Sequence, residues 1–261
     1  MSYKNLLILL ICLSLLNACA TNSNNKNRQN NIRTEQVAQV STDSAEMKNV
    51  ELGVGYLKRG REDDLDIALE KFKKAVGYNP KFALAHSMLA NVYDKKGLFD
   101  SAKKHYKLSI KYNNGSPDII NNYANFLCQR GSYDLAIKKY LQVINNPQYK
   151  TPASAYENAG ICSYKDNKIS QAEGYFRQAL ALNNKQANSL YYLMLINKNR
   201  EHYMQALAFL QRLEQVVQPS SEILAAGYQI EKELGNIELA NKYLTTLQTK
   251  FPNSESLENI K

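Results

Sequence analysis

The sequence predicts an all-α chain, a stack of about six helix-turn-helix repeats behind an export segment. Three observations carry this reading. Alanine recurs at Ala68, Ala102, Ala136, Ala172, Ala206 and Ala240, at gaps of 34, 34, 36, 34 and 34 residues. Four residues after each alanine stands a large apolar side chain: Phe72, Tyr106, Tyr140, Phe176, Leu210 and Leu244. The 261 residues include only eleven Gly, six Pro and no Trp, so breakers are scarce while 44% of the chain is hydrophobic. Self-similarity at a fixed period of roughly 20–50 residues marks stacked architectures, because one short unit cannot bury its apolar face alone.

The first element is an address. Lys4 gives a positive start, and the apolar stretch from Leu6 to Leu16 is shorter than the roughly 20 residues that span a bilayer. Residues 1–18 are therefore expected to be a secretory signal. Leu16-Asn17-Ala18-Cys19 resembles the lipobox of bacterial lipoproteins, in which a small residue precedes a cysteine that is acylated and becomes the first residue. The resemblance implies lipid, palmitate among its chains, on Cys19. Ala20, where an Asp would signal retention, implies sorting to the outer membrane. Two or three acyl chains anchor stably, since each buried CH2 adds about 0.8 kcal/mol. Removing residues 1–18 takes away Lys4 and lowers the formal charge from +9 to +8. Residues 19–46 then read as the lipidated cysteine and a disordered tether, since residues 21–31 offer nothing apolar to bury. Such a tether has an r.m.s. reach of about 25–30 Å.

Residues 47–261 hold the repeats. Three positions beyond each large apolar residue come Ala75, Ser109, Val143, Ala179, Leu213 and Leu247. Upstream pairs are expected at the helix-helix contact: Leu52-Gly53, Leu89-Ala90, Tyr123-Ala124, Ala159-Gly160, Leu193-Met194 and Gly227-Tyr228. Gly97, Gly131, Asn167 and Gly235 stand five before their alanines as turn residues. Glu201 takes that place in the fifth repeat, and Gly60 precedes three extra residues in the first. Pro80 and Pro252 close two repeats. This pattern resembles the tetratricopeptide repeat, which implies a right-handed superhelix of helix pairs.

The residues needed for catalysis do not assemble in the sequence. His86, His105 and His202 show no metal-ligand spacing, and phosphate-binding loops and nucleophile motifs are missing. No enzyme, metal, cofactor or small-molecule substrate is expected. Lys and Arg are interspersed with acids, so the +9 balance does not form a nucleic-acid stripe. Asp63-Asp64, in the long first turn, reads as a solvated acid pair. Cys128 and Cys162 fall in the first helices of repeats three and four, which are neighbours in a solenoid. In an oxidising compartment such a pair can persist as a disulfide; two buried thiols too far apart to bridge are the alternative.

In tetratricopeptide superhelices the first helix of each repeat lines the concave face. That register places Asn91, Asp94, Asn121, Asn122, Asn125, Gln129, Tyr164 and Tyr191 in a partner-binding groove, with Glu157, Ile161 and Lys165 beside them. Asparagine is a poor helix-interior residue, because its amide competes for backbone hydrogen bonds. Its presence here is explained if the amides hold the backbone of an extended ligand. Ala substitution of Asn121 and Asn125 is then expected to abolish partner binding while leaving helicity intact. Asn121-Asn122-Tyr123-Ala124-Asn125-Phe126-Leu127-Cys128, Asn158-Ala159-Gly160-Ile161-Cys162-Ser163 and the closing Phe251-Pro252-Asn253-Ser254 resemble the type IV pilus biogenesis lipoproteins of the PilF/PilW family. The resemblance implies a pilotin: an outer-membrane lipoprotein, facing the periplasm, that binds the secretin subunit and promotes its localisation and multimerisation. A general periplasmic adaptor of another envelope assembly would share the lipobox and the fold.

Overall fold

The computed structural model describes residues 43–260. The signal, Cys19 and most of the expected tether lie outside that range. Among the described residues there are thirteen helices and no strand. Six pairs follow one another: α1 (Ala45–Arg59) with α2 (Asp64–Tyr78), α3 (Ala83–Lys95) with α4 (Phe99–Tyr112), α5 (Pro117–Gln129) with α6 (Tyr133–Ile144), α7 (Pro152–Lys165) with α8 (Ile169–Leu182), α9 (Ala187–Asn199) with α10 (Tyr203–Glu214), and α11 (Ser221–Glu233) with α12 (Ile237–Lys250). A short α13 (Glu255–Glu258) packs back on α11. None of these helices is long and apolar enough to cross a membrane.

Local chemistry sets the boundaries. Ser44 Oγ accepts a hydrogen bond from the Met47 amide at 3.3 Å and caps α1. Pro117 and Pro152 open α5 and α7, where the amide that proline lacks has no helical partner to lose. The turn within each pair needs one residue in the left-handed region. Gly60, Gly97, Gly131, Asn167, Glu201 and Gly235 occupy it, with φ between 56° and 79°. Glu201 has a Cβ, and holding it there costs about 1–2 kcal/mol; the packing of α9 against α10 compensates.

The periodic positions are the core. The six alanines are 0–2% exposed, and Phe72, Tyr106, Tyr140, Phe176 and Leu210 are 0–4% exposed. Helix spacing inside a pair is set by size matching. A Cβ on Gly160 would lie 2.5 Å from Phe176 Cε1, and one on Gly227 would lie 2.7 Å from Tyr243 Cε1; Gly53 meets Phe72 in the same way. At the same repeat positions Ala90 and Ala124 accompany Tyr106 and Tyr140, and Met194 accompanies Leu210. The one long side chain at this place on the first helix, Met194, is the one that goes with an aliphatic residue in place of a ring.

Three expectations change. Leu52 is 53% exposed and is no helix-helix contact, because among the described residues no helix precedes α1 to cover it; Gly53 alone is packed. In the sixth pair Tyr243, not Leu244, fills the gap, and its hydroxyl donates to Glu214 Oε1 at 2.9 Å. Asp64 is not solvated. It is 2% exposed, accepts from Arg59 Nε at 2.9 Å and from the Arg61 amide at 2.9 Å, and pairs again with Arg59 Nη2. The Arg59 guanidinium holds the Asp64 carboxyl down at about 2. The three extra residues of the first turn thus wrap a buried carboxylate that a partly exposed arginine covers.

Candidate functional site

The helices that open repeats two, three and four lie side by side and present a common face. On it Asn91 and Asp94 of α3 meet Asn122, Asn125 and Gln129 of α5, with Ser87, Met88, Tyr106 and Phe126 completing an open groove. Asn125 and Gln129 also border the next depression, which Asn158, Ile161 and Lys165 of α7 line from the other side. Five of the eight sequence-predicted groove residues therefore converge.

These five play different parts. The Tyr140 hydroxyl donates to Asn125 Oδ1 at 2.6 Å, and Tyr140 is 1% exposed. Asn125 has a structural reason to interrupt a helix, since a buried phenol needs a partner. We expect Asn125→Ala to destabilise the fold by about 1–3 kcal/mol, the cost of an orphaned buried hydroxyl, less about 0.5 kcal/mol of improved helix propensity. Urea unfolding measures it, and Asn125→Ala combined with Tyr140→Phe should cost less than the two singles summed. An unchanged midpoint in the single variant would return Asn125 to a purely ligand-facing role. By contrast, the side-chain amides of Asn91, Asn122 and Gln129 bond to no other described residue. Asp94 Oδ1 is buried without a hydrogen bond, and the nearest cation, Arg130 Nη2, stops 3.7 Å away. Burial and the Asp94 carboxylate push the Tyr106 phenol up to about 12.

The other three predicted residues lie elsewhere. Asn121 is buried, and its Oδ1 lacks a hydrogen-bond partner. It does not line the groove as its neighbour Asn122 does, because one residue along a helix turns the side chain by about 100°. Glu157, at the equivalent place in repeat four, explains what that position does. It accepts from Ser189 N at 2.9 Å, Ser189 Oγ at 3.0 Å and Asn188 Nδ2 at 3.0 Å, capping α9. The residue matching Ser189 opposite Asn121 is Ala155, which has no hydroxyl to offer. Tyr164 and Tyr191 sit further along in an aromatic cluster, both against Tyr192 with ring centroids 4.9 and 5.5 Å away.

Cys128 of α5 and Cys162 of α7 form a disulfide, with Cα atoms 5.7 Å apart. Cys128 borders the second depression, so the bridge ties its two walls, α5 and α7, together.

The histidines hold a pairing that sequence reasoning missed. His86 Nδ1 and His105 Nδ1 are 2.9 Å apart, and His86 Nε2 donates to the Pro80 carbonyl at 2.9 Å. A carbonyl only accepts, so a neutral His86 turns a lone pair to His105, which donates. Burial, then His86, Lys104 and Lys73, push His105 down to about 4. A depressed folded value means that the unfolded chain binds the proton more readily. The stability from His105 is therefore full above about 6.5 and lost as pH falls from there toward 4. His105→Gln should flatten that stretch of a stability-versus-pH curve; an unchanged slope would remove His105 as its cause. Among the described residues no three His, Cys, Asp or Glu side chains gather as a metal-binding group.

Comparison with known proteins extends over nearly the whole chain. The type IV pilus assembly protein PilF of Pseudomonas aeruginosa is 27% identical over 255 residues, spanning 97% of this chain and 96% of that protein. The crystal structure of PilW, a widely conserved type IV pilus biogenesis factor, superposes with a TM-score of 0.74 at 26% identity, covering 84% of this chain and 99% of that one. The chain is homologous to PilF and PilW. The solved structure of Pseudomonas aeruginosa PilF gives the same TM-score, 0.74, at 24% identity over 83% of this chain and 96% of that one, and speaks for the fold. No protein-family model matches the chain. The PilF/PilW homologue is thus an all-helical tetratricopeptide protein related to pilus-assembly factors.

Proposed function

We propose that this PilF/PilW homologue is a non-enzymatic scaffold of type IV pilus biogenesis. In this reading it is an outer-membrane lipoprotein that binds the secretin subunit and promotes its localisation and multimerisation. The observation that carries the reading is the likeness to PilF along 97% of the chain and 96% of that protein. The lipobox ending at Cys19 supports the anchor, and a groove with three amides that no other described residue engages supports a polypeptide ligand. Acylated Cys19 holds the protein at the membrane, and the repeats gather a segment of the secretin without turnover.

A deletion strain tests it. Heat-resistant secretin multimers and surface pili should both disappear, and the intact gene should restore both. A Cys19→Ala version, soluble in the periplasm, should leave secretin away from the outer membrane. Normal multimers in the deletion strain would reject the secretin role and leave the general envelope adaptor.

A further inference from the structure

Among the described residues, one charged side chain lines the groove between α3 and α5: Asp94. The rest of the lining is amide, hydroxyl and apolar. The carboxylate's own chain leaves it short of donors. Arg130 stays 3.7 Å away because its guanidinium lies over the Phe99 ring, 4.1 Å from the centroid. Lys96, two residues on, is turned outward to Asp66 at 2.6 Å. Backbone polarity adds to the deficit. Asp94 is in the last turn of α3 and Gln129 in the last turn of α5. Helix C-termini carry about half a negative charge each, which disfavours a carboxylate and favours a cation beside it. On a chain with formal charge +9 this groove is a local negative site.

We infer that the groove takes an extended polypeptide by seating one basic side chain, Lys or Arg, at Asp94. The inference rests on the polypeptide-groove reading above and adds a chemical requirement to it. The Tyr106 ring and Met88 flank the aliphatic stem, the free amides of Asn91 and Asn122 meet the ligand's backbone, and Asp94 receives the charged end. A charge-assisted hydrogen bond in a partly desolvated site is among the stronger polar contacts, so one position of the ligand should dominate selectivity.

The test uses the full chain, purified from bacterial membranes in mild detergent, to select binders from a random-peptide phage library. Selected peptides should share one fixed Lys or Arg. Asp94→Asn should weaken their binding at least tenfold and abolish the preference in a repeated selection. Arg130→Gln, which removes the competing guanidinium, should strengthen it severalfold. Asn122→Ala should weaken basic and neutral peptides alike. Peptides that bind without a basic residue but are weakened by Asn122→Ala would overturn the cation seat and leave the groove. Binders insensitive to both Asp94→Asn and Asn122→Ala, or no binders at all, would overturn seat and groove together. Unfolding curves for each variant separate lost recognition from lost fold, and the gain from Arg130→Gln cannot come from unfolding.

Discussion

Opening the Cys128–Cys162 bridge is expected to cost the fold about 4 kcal/mol, the loop-closure estimate for a cross-link at this spacing. The cysteines are 34 residues apart, one repeat unit, and both side chains are buried. In a solenoid each repeat touches only its neighbours, so stability is a sum of units and interfaces. The bridge reinforces one interface, that between the first helices of repeats three and four. Its loss should separate the array there, so that a single unfolding transition broadens or splits into two. Urea unfolding of residues 43–261 with and without reductant measures both effects, and Cys128→Ala with Cys162→Ala repeats the measurement without reductant. Thiol counting on unfolded, unreduced protein comes first: two reactive thiols would mean that the bridge does not form, and the expectation would fall. The same bond borders the depression between α5 and α7, so its loss should also loosen the wall carrying Gln129.

What the sequence made legible follows a simple physical line. Positions fixed by contact between two helices of one pair recur with the period, because the same geometry selects the same size of side chain each time. The six alanines are all buried and the six turn residues all left-handed. Positions fixed by contact between repeats were harder to read. Asn121 and Asn122 are adjacent and chemically identical, yet one is buried and the other lies in the groove. No periodic signal separates them without the helix phase. Leu52 fits the pattern and still faces outward, since a repeat motif does not say which unit stands at the end. Asp64 with Arg59 and His86 with His105 are pairings across turns and between helices, where each residue alone reads as surface. Asn125 was the instructive case. Its unusual place in a helix did signal a hydrogen-bonding demand, but one that a buried tyrosine fifteen residues later makes.

Gly160 makes one of the tight demands on composition. A methyl group there would stand 2.5 Å from Cε1 and 2.6 Å from Cδ1 of Phe176, whose ring is 0% exposed and stacked on Tyr192 with centroids 5.2 Å apart. The ring has nowhere to swing. Gly160→Ala is therefore expected to destabilise the protein by about 1–3 kcal/mol through overpacking, despite the better helix propensity of alanine. Repeat five supplies the remedy, for it holds Met194 at the matching position with Leu210 in place of an aromatic ring, whereas Ala90 and Ala124 in repeats two and three still face Tyr106 and Tyr140. Gly160→Ala combined with Phe176→Leu should thus recover much of the loss, although Phe176→Leu alone leaves a cavity and costs stability. The sign of the coupling decides the matter. If the double variant is as unstable as the sum of the singles, the size match across the pair is incidental. If the second substitution relieves the first, the spacing of these helices is set by the combined volume of two side chains, and the glycine is there because the phenylalanine is.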